Sequence, residues 1–543
     1  MKTFEPKLFT IIKDYNKKLL IDDLVSGLIV AIIALPLSIA LAIASGVSPE
    51  KGLYTAIIAG LVISFFGGSR VNISGPTAAF ATIVAGIVAQ FGTGGLVAAT
   101  IMAGIILIVM GFCKVGSLIK YIPYTITTGF TSGIALTIVI GQLKDFLGLT
   151  FPAGTNAVET MEKLEAVFHS IQTINIQSVL VGLGALAILI IWPKISKKIP
   201  GSLIVVLLGI VVVKAFKLNV NTIGDLYTIS RVLPMPSVPT FDLAIIKQLL
   251  PSAFTIAILA GIESLLSCVV SDGMINDKHN SNTELVAQGM GNICSGLFGG
   301  IPATGAIART AANVNNGGKT PIAGIVHAVV LLLILVVLMP YAAWIPMPVI
   351  AAILFMVAYN MSEWRQFAYI CKAAPKSDIA VLILTFVLTV VFDLVVAIEI
   401  GLLLTMVLFL KRMSDVAKVR SWDEASEDNE RMKAIPQNTC VFEIDGPMFF
   451  ATTDRISSIS AEEGIKVVIL RMRSIPMLDI SALRSLKMIY KSLQDKGIIV
   501  LFSHVNEQPM SVIKKSKFYE QVGEQYFPEN IDEALDMARA IVG

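Results

Sequence analysis

Two apolar segments of the sequence are interrupted by small residues and proline in a pattern that could bind an anion. The first interruption spans residues 74–80 and the second spans residues 299–310. Glycine and proline end and restart helices, and irregular backbone at membrane depth is tolerated where it is buried in protein or lines a cavity. A helix that starts there directs unpaired N–H groups and the positive end of its dipole into that cavity. Two such helix starts predict an anion site near the middle of a membrane.

Side chains beside these interruptions add donors to the predicted site. Thr77 lies in the first turn of one restarted helix, and Arg309 follows the start of the other. An ionised side chain in mid-membrane costs about 2.5–3.5 kcal/mol on insertion scales, so Arg309 requires a partner. A bound anion is one solution, and snorkelling to the cytoplasmic end of the helix is the alternative. The candidate substrate-binding residues are Thr77, Ala78, Thr304, Gly305, Ala306 and Arg309.

Glu263 is a second charged residue inside an apolar segment, and it could bind a coupling ion. Ser267 lies four residues later, on the same helix face. A carboxylate with a hydroxyl suits Na⁺, whereas a lone desolvated carboxyl group suits H⁺. An internal ion pair with Arg309 is the structural alternative. The candidate coupling-ion residues are therefore Glu263 and Ser267, and we expect no other metal site and no other cofactor.

The composition excludes an ordinary soluble protein and gives little support to an enzyme. Of the 543 residues, 55% are hydrophobic and 15% are charged, and the mean hydropathy is +0.78. Soluble proteins carry about 25% charged residues. The net charge of +3 is too small to indicate nucleic-acid binding. The sequence shows no Cys/His set, Ser/His/Asp set or phosphate-binding loop with the spacing of a catalytic or metal site. We therefore expect a membrane protein that is not an enzyme.

The chain divides into four predicted segments. Residues 1–24 form a basic amphipathic segment on the inner membrane surface, with a disordered tail as the alternative. Residues 25–412 form the transmembrane domain, residues 413–436 a charged linker, and residues 437–543 a soluble domain. Lysine and arginine cluster before the first apolar run and after the last. By the positive-inside rule, the protein then lies in a bacterial plasma membrane with both termini on the cytoplasmic side.

The apolar runs form two sets of seven, which predicts an inverted repeat. They start near Val25, Leu53, Ala78, Val97, Thr125, Val179 and Leu203, and again near Phe254, Leu285, Ala303, Ile322, Val349, Ile379 and Val395. The third run of each set carries the interruption. Because seven is odd, the second set inserts with the opposite orientation, and the two half-helices meet at mid-membrane.

The tail alternates strand and helix patterns, which predicts a small α/β sheet domain backed by helices. Strands are predicted at residues 440–444, 466–471 and 498–502, and helices at residues 480–495, 510–522 and 531–541. Asp479 and Gly497 supply the start and stop signals of the first helix. Ser481 lies at that helix start, where a phosphate group would be stabilised. Plain capping by Asp479 is the alternative.

Several segments together resemble the sulfate permease (SulP) family, whose animal relatives include prestin and pendrin. They are ALPLSIA at residues 34–40, SGPT at 74–77, HNSNTEL at 279–285 and NNGGKT at 315–320. The tail resembles a STAS domain. The resemblance covers nearly the whole chain and implies a seven-plus-seven inverted repeat with core and gate subdomains. It also implies an anion between the third and tenth segments, and a homodimer in which the STAS domains take part.

The resemblance implies roles for individual residues of the membrane domain. Thr77 matches a substrate-contacting threonine of bicarbonate-transporting relatives, and Glu263 and Ser267 match an Asp and a Thr that hold Na⁺ there. Arg309 matches the anion-site arginine of prestin-like members, which the Na⁺-coupled bicarbonate pattern lacks. The chain therefore combines two patterns of the family.

Three further positions bear on substrate and regulation. Ala306 and Ala308 stand where animal members have site serines, so fewer side-chain donors line this pocket. In the tail, Ser481 falls near the serine that is phosphorylated in anti-sigma-factor antagonists. The resemblance thus implies a regulatory site, and with it a regulatory protein partner, on the STAS domain.

The expected function is secondary active transport of a small inorganic or carboxylate anion, by alternating access and in symport with H⁺ or Na⁺. Sulfate, bicarbonate and dicarboxylates all suit a site built from helix dipoles. A nucleobase carrier of the same architecture is one alternative, although Arg309 and the STAS tail argue against it. A membrane-anchored signalling protein is another, but Glu263 and Arg309 are costly for a mere anchor.

Overall fold

The computed structural model divides into two compact units, Met1–Leu402 and Leu403–Gly543. The structure describes residues 4–117, 123–152, 157, 159–196, 199–230, 232–236, 243–392, 394–422, 435–457, 459 and 462–543. Most of the predicted linker, residues 423–434, lies outside the described residues.

Helices account for nearly all of the first half of the larger unit. In chain order they are α1 (Lys7–Ile11), α2 (Lys17–Ala44), α3 (Pro49–Phe66), α4 (Ala81–Phe112), α5 (Tyr124–Leu147), α6 (Thr160–His169), α7 (Ile176–Ile195), α8 (Gly201–Ala215) and α9 (Ile223–Leu226). A 3-10 turn, Ala78–Phe80, leads into α4. Gly92 divides α4 with a φ of 67°, which glycine adopts readily because it lacks a Cβ. The third predicted apolar run therefore ends at Gly92, and the fourth follows it.

The second half of the larger unit is also mainly helical. Its helices are α10 (Leu243–Ile275), α11 (Ser281–Leu297), α12 (Ile307–Asn315), α13 (Ile322–Ala342), α14 (Met347–Met361), α15 (Trp364–Ala373), α16 (Lys376–Val391) and α17 (Leu394–Val416). Two strands of two residues, β1 (Ser74–Gly75) and β2 (Thr304–Gly305), lie in the interruptions. Every apolar run predicted from the sequence coincides with a helix, or with one half of α4, in the described residues.

The surface of these helices is that of a membrane protein. Eight helices among the described residues are long and apolar enough to cross a membrane. Large apolar side chains such as Ile176, Leu207 and Leu333 are exposed on the outside, as expected for helices that contact lipid. The protein is a mostly helical membrane protein; the count of fourteen membrane segments stays a prediction.

The first membrane helix begins earlier than the apolar pattern indicates. Helix α2 starts at Lys17 with Asn16 as its N-cap, because the Asn16 side chain accepts a hydrogen bond from the Leu19 N–H group at 3.0 Å. The helix therefore starts about two turns before the apolar run that begins near Val25. The short helix α1 precedes it, and the Lys7 N–H group donates to the carbonyl of Gly67 at 2.9 Å.

A pair of glycines brings α4 and α11 into backbone contact. A Cβ on Gly104 would lie 2.6 Å from the Gly289 carbonyl oxygen, and a Cβ on Gly289 would lie 2.5 Å from the Gly104 carbonyl oxygen. Small residues allow membrane helices to approach this closely, and packing rather than water exclusion then drives their association. Helix α11, which organises the site described below, is fixed against α4 in this way.

The smaller unit contains a four-stranded sheet with helices on both faces. The strands are β3 (Lys418–Ser421), β4 (Thr439–Asp445), β5 (Val467–Ser474) and β6 (Ile499–Ser503), in the order β3-β4-β5-β6. The helices are α18 (Thr453–Ser457), α19 (Ile480–Asp495), α20 (Glu507–Lys515), α21 (Phe518–Val522) and α22 (Ile531–Val542). Strand β3 is antiparallel to β4, whereas β4, β5 and β6 are parallel. Leu470 and Phe502 face a core with α19, and Ile469 and Leu501 face a core with α22.

Two features of this unit depart from the sequence prediction. Residues Lys418–Ser421, which were expected in the linker, form the edge strand β3 instead. Pairing with the apolar strand β4 stabilises this short charged segment, whose own residues carry no strand signal. The predicted helix at residues 510–522 is two helices, because Lys517 has a φ of 58° and breaks the helical path. The other predicted strands and helices of the tail are confirmed.

Candidate functional site

The two interruptions of the apolar pattern lie against each other inside the larger unit. Strands β1 and β2 are antiparallel, with Ser74 opposite Gly305 and Gly75 opposite Thr304. The pairing continues where the Ala306 N–H group donates to the Ile73 carbonyl at 2.8 Å. The 3-10 turn that leads into α4 and the nine-residue helix α12 both start beside this pair. Two helix N-termini, each with unpaired N–H groups and a positive dipole end, therefore meet here.

Arg309 lies across the first interruption and keeps one donor group free. Its side chain is 3% exposed, and Nη2 donates to the Pro76 carbonyl at 2.5 Å. Nη1 is buried and has no hydrogen-bond partner among the described residues. A Cβ at Gly75 would collide with Nη1, so a glycine is required for the guanidinium group to lie this close to the backbone. Arg309 thus does not snorkel to the end of its helix.

Thr77 and Glu263 are brought together on the other side of the pair. The Thr77 hydroxyl donates to Glu263 Oε2 at 3.0 Å. Both residues are half-buried, while the adjacent Ala78 and Ser264 are buried. The two polar side chains therefore each keep part of their surface accessible. No ion pair joins Glu263 to Arg309 in the part of the chain that the structure describes, so the predicted internal ion pair is not formed.

Ser267 lies one turn from Glu263 but has other partners. Its hydroxyl group lies 2.7 Å from Asn72 Oδ1 and 3.1 Å from Thr310 Oγ1. Ser267 is fully buried, and it connects α10 to the first interruption and to α12. The shared helix face was predicted, but the structure does not bring Glu263 and Ser267 to a common partner among the described residues.

Ser264 holds the second interruption in place, a role that the sequence did not reveal. Its hydroxyl oxygen accepts a hydrogen bond from the Gly305 N–H group at 2.9 Å and lies 2.8 Å from Thr304 Oγ1. The Thr304 hydroxyl also donates to the Ala260 carbonyl at 2.9 Å. Thr304 is fully buried. The side chain of Thr304 and the N–H group of Gly305, both predicted to bind substrate, are therefore engaged within the protein, whereas Ala306 borders the start of α12.

A buried carboxylate on α11 holds the loop that leads into the first interruption. Glu284 is fully buried, and its Oε2 accepts hydrogen bonds from the N–H groups of Gly68 at 2.9 Å and Ser69 at 3.2 Å. Its Oε1 accepts from Asn72 Nδ2 at 2.8 Å and from Gln288 Nε2 at 2.9 Å. Four donors compensate this carboxylate, as a buried charge requires.

The same helix holds the second interruption two turns later. Asn292 Oδ1 accepts from the Ala303 N–H group at 2.8 Å, and its Nδ2 donates to the Ala303 carbonyl at 2.9 Å. Glu284, Gln288 and Asn292 are spaced by four residues along one face of α11. This polar stripe in an otherwise apolar segment was a signal in the sequence that could have identified the scaffold.

The turn between α10 and α11 contains a hydrogen-bonded chain of Asp272, His279 and Ser281. His279 Nδ1 lies 2.7 Å from Asp272 Oδ2, and its Nε2 lies 2.9 Å from Ser281 Oγ. Asn280 caps α11 by accepting from the Thr283 N–H group at 3.2 Å. The sequence did not suggest this Asp-His-Ser set. Its place within a capped helix turn is typical of a structural brace.

Ser481 in the smaller unit lies in the first turn of α19. Asp479 caps this helix by accepting from the Ala482 N–H group at 2.8 Å, and it also accepts from the Phe450 N–H group at 3.0 Å. Ser481 is half-buried. The capping role of Asp479 is therefore present, and phosphorylation of Ser481 stays a prediction.

Comparisons with known proteins agree with this architecture. Residues 20–385 match the family model described as the Sulfate permease family, and residues 430–535 match the STAS domain. The chain is 39% identical to the Bacillus subtilis (strain 168) protein named "Putative sulfate transporter YvdB" over 533 residues, which cover 96% of this chain and 98% of that protein. It is 31% identical to "Bicarbonate transporter BicA" of Picosynechococcus over 540 residues, 95% of this chain and 94% of that protein.

Two solved structures share the fold. The transmembrane domain of a cyanobacterial bicarbonate transporter, BicA, is 31% identical to this chain and has a TM-score of 0.65. The alignment covers 71% of this chain and 98% of the BicA domain. The overall structure of SLC26A9 has a TM-score of 0.88 at 19% identity and covers 98% of this chain and 92% of that chain. The second likeness extends the shared fold to both units of this chain.

Proposed function

Because the chain belongs to the sulfate permease family, we propose that it is a secondary active transporter of a small oxyanion or carboxylate. Transport would proceed by alternating access, with H⁺ or Na⁺ as the coupling ion. The relatives carry the names "Putative sulfate transporter YvdB" and "Bicarbonate transporter BicA". Both substrates are oxyanions that a site with converging N–H donors would accept.

The observation that carries this proposal is the unpartnered Nη1 group of Arg309. The cation is buried beside two helix N-termini, and Nη1 has no acceptor in the described residues. A buried charge requires compensation, and the intramembrane carboxylate of Glu263 accepts a hydrogen bond from Thr77 instead. An anion bound between the helix starts would accept from Nη1 and complete the site.

The arrangement around Glu263 favours a proton over Na⁺ as the coupling ion. A Na⁺ ion would need several oxygen ligands, and the best candidate on the same helix, Ser267, already contacts Asn72 and Thr310. A proton requires only the carboxyl group, and the Glu263 side chain is only partly buried. Symport with H⁺ through Glu263 is therefore the preferred form of the proposal, with Na⁺ as its alternative.

Location, assembly and regulation complete the proposal. Bacterial relatives and the clusters of basic residues support a bacterial plasma membrane with both termini in the cytoplasm. We propose a homodimer in which the STAS domains take part. A phosphate on Ser481, or a regulatory protein that binds there, would act at the N-terminus of α19.

Reconstituted transport tests the proposal directly. Purified protein in liposomes would be given labelled sulfate, bicarbonate, succinate and uracil in separate experiments, with imposed H⁺ or Na⁺ gradients. We expect uptake of at least one anion, and Arg309→Ala should lower its apparent affinity at least tenfold, since a charged hydrogen bond is worth about 1.5–3 kcal/mol. Arg365→Ala removes an exposed arginine outside the site and serves as the matched control.

Two results would contradict the proposal. Uptake of uracil in the absence of anion uptake would identify a nucleobase carrier of the same architecture. Equal anion affinities in Arg309→Ala and Arg365→Ala, with both proteins folded, would exclude Arg309 from the binding site.

A further inference from the structure

The hydroxyl group of Thr77 has one hydrogen, and the structure shows where it is used. Thr77 Oγ1 donates to Glu263 Oε2 at 3.0 Å. A hydroxyl donates a single hydrogen bond, whereas an ionised carboxylate only accepts. While Glu263 is ionised, the Thr77 hydrogen is therefore committed to it and is not available to another acceptor.

The anion proposed above would compete for the same hydrogen. Thr77 directly follows Pro76, whose carbonyl accepts from Arg309 Nη2. The free Nη1 group of Arg309 packs against Gly75 in the same interruption. An anion held by Nη1 beside this segment would lie close to Thr77, whose hydroxyl group donates to Glu263. Both the anion and the carboxylate are charged acceptors, and each forms a stronger bond than a neutral acceptor would.

We propose that Thr77 is a donor switch that links anion binding to the neutralisation of Glu263. With Glu263 ionised, the hydroxyl donates to the carboxylate and the anion loses a donor. With Glu263 neutral, the hydroxyl turns to the anion and affinity rises. This inference rests on the proposed transport function and specifies how one hydroxyl group couples its two ligands.

Other charged groups near the site do not share this arrangement. Glu284 on α11 is saturated by four donors, and Arg309 on α12 donates to the Pro76 carbonyl rather than to Glu263. His327 on α13 is fully buried, and its ring nitrogens have no hydrogen-bond partner among the described residues. Among the described residues that face Glu263, Thr77 is the side chain recorded as its hydrogen-bond donor. The linkage therefore passes through Thr77.

A double-mutant cycle isolates the switch, because it measures how the effect of one change depends on the other. Binding of labelled sulfate, and separately of labelled bicarbonate, would be measured on the full-length protein in alkaline buffer. The four proteins are the unmodified chain, Thr77→Val, Glu263→Gln and the double variant. Glu263→Gln represents the neutral state, and in that background Thr77→Val should lower affinity about tenfold to a hundredfold. With Glu263 ionised, Thr77→Val should lower anion affinity by a factor several times smaller than in the Glu263→Gln background.

Two further variants separate the switch from a simple loss of structure. Thr77→Ser keeps a hydroxyl group and should restore most of the affinity lost in Thr77→Val. Thr100→Val is the matched control, since the Thr100 hydroxyl is buried and donates only to the Leu96 carbonyl of its own helix. Thr100→Val should leave both the affinity and its dependence on Glu263 as they are in the unmodified chain.

The outcomes distinguish this inference from the function on which it rests. If neither anion binds the unmodified protein, the proposed substrate class is wrong and the switch falls with it. If anions bind through Arg309 but Thr77→Val has the same effect with Glu263 or Gln at position 263, transport stands and the switch is wrong. A larger effect of Thr77→Val in the ionised background would instead show that Thr77 only orients Glu263.

Discussion

Asn292→Ala should damage the anion site from a distance, although Asn292 lies outside it. In the structure, Asn292 bonds both backbone groups of Ala303, which directly precedes Thr304 of strand β2. Strand β2 sets the register with β1 and the start of α12, and so places Arg309. Removing the amide therefore frees the backbone that holds the second helix start in position.

The expected loss in the free energy of unfolding follows from the two hydrogen bonds that are removed. Ala303 is fully buried, so its N–H and carbonyl groups have no direct access to bulk solvent once Asn292 is shortened. Each buried group without a partner costs about 1–3 kcal/mol, which gives about 2–6 kcal/mol for the pair. A water molecule in the vacated space would bring the value toward the lower end.

Unfolding in mixed detergent micelles, followed by SDS titration, measures this loss. Asn360→Ala, on the exposed surface of α14, is the matched control and should stay within about 0.5 kcal/mol of the unmodified protein. Sulfate or bicarbonate affinity should fall together with stability in Asn292→Ala. A loss of stability below about 1 kcal/mol with unchanged affinity would refute the view that α11 holds the site together.

Three further predictions follow from the same geometry. Gly75→Ala should lower anion affinity about tenfold or more, because the added Cβ displaces the Arg309 guanidinium group. Gly86→Ala is the control, since a Cβ there meets nothing within 4 Å. Equal anion affinities in the two variants would contradict the packing of Arg309 against Gly75. Glu263→Gln should abolish gradient-driven accumulation in liposomes while anion exchange continues, and full accumulation would remove Glu263 from the coupling step. Truncation after Val416, where α17 ends, should leave the rank order of competing anions unchanged, and a new order would place part of the selectivity in the STAS domain.

Local rules explain why much of the fold could be predicted. The breaks at residues 74–80 and 299–310 were evident because glycine and proline interrupt long apolar runs. Helix α19 was predicted with its bounds, since Asp479 and Gly497 are strong start and stop signals. Strand β3 was missed because two of its four residues are charged and three are exposed, and only pairing with β4 makes them a strand.

The candidate site was predicted less completely because side-chain partners depend on how helices rotate against each other. Spacing placed Ser267 on the same face as Glu263, but it could not show that Ser267 turns to Asn72. Three of the four donors to Glu284 come from residues 68–72, which are distant in sequence, so no local pattern reveals them. Thr77 and Glu263 were both selected, yet the hydrogen bond between them required the structure.

The antiparallel pair of β1 and β2 has a consequence for the biogenesis of this protein. Pro76 and Arg309 are separated by 233 residues, so the ribosome delivers the first half of the site long before the second. Translation adds about 5–20 residues each second, which leaves the backbone of β1 without its partner for tens of seconds inside or beside the membrane. The early helices must therefore remain in the membrane for this time without the second half of the site. Chains that stop before α12 should be recognised by quality-control proteases as incomplete.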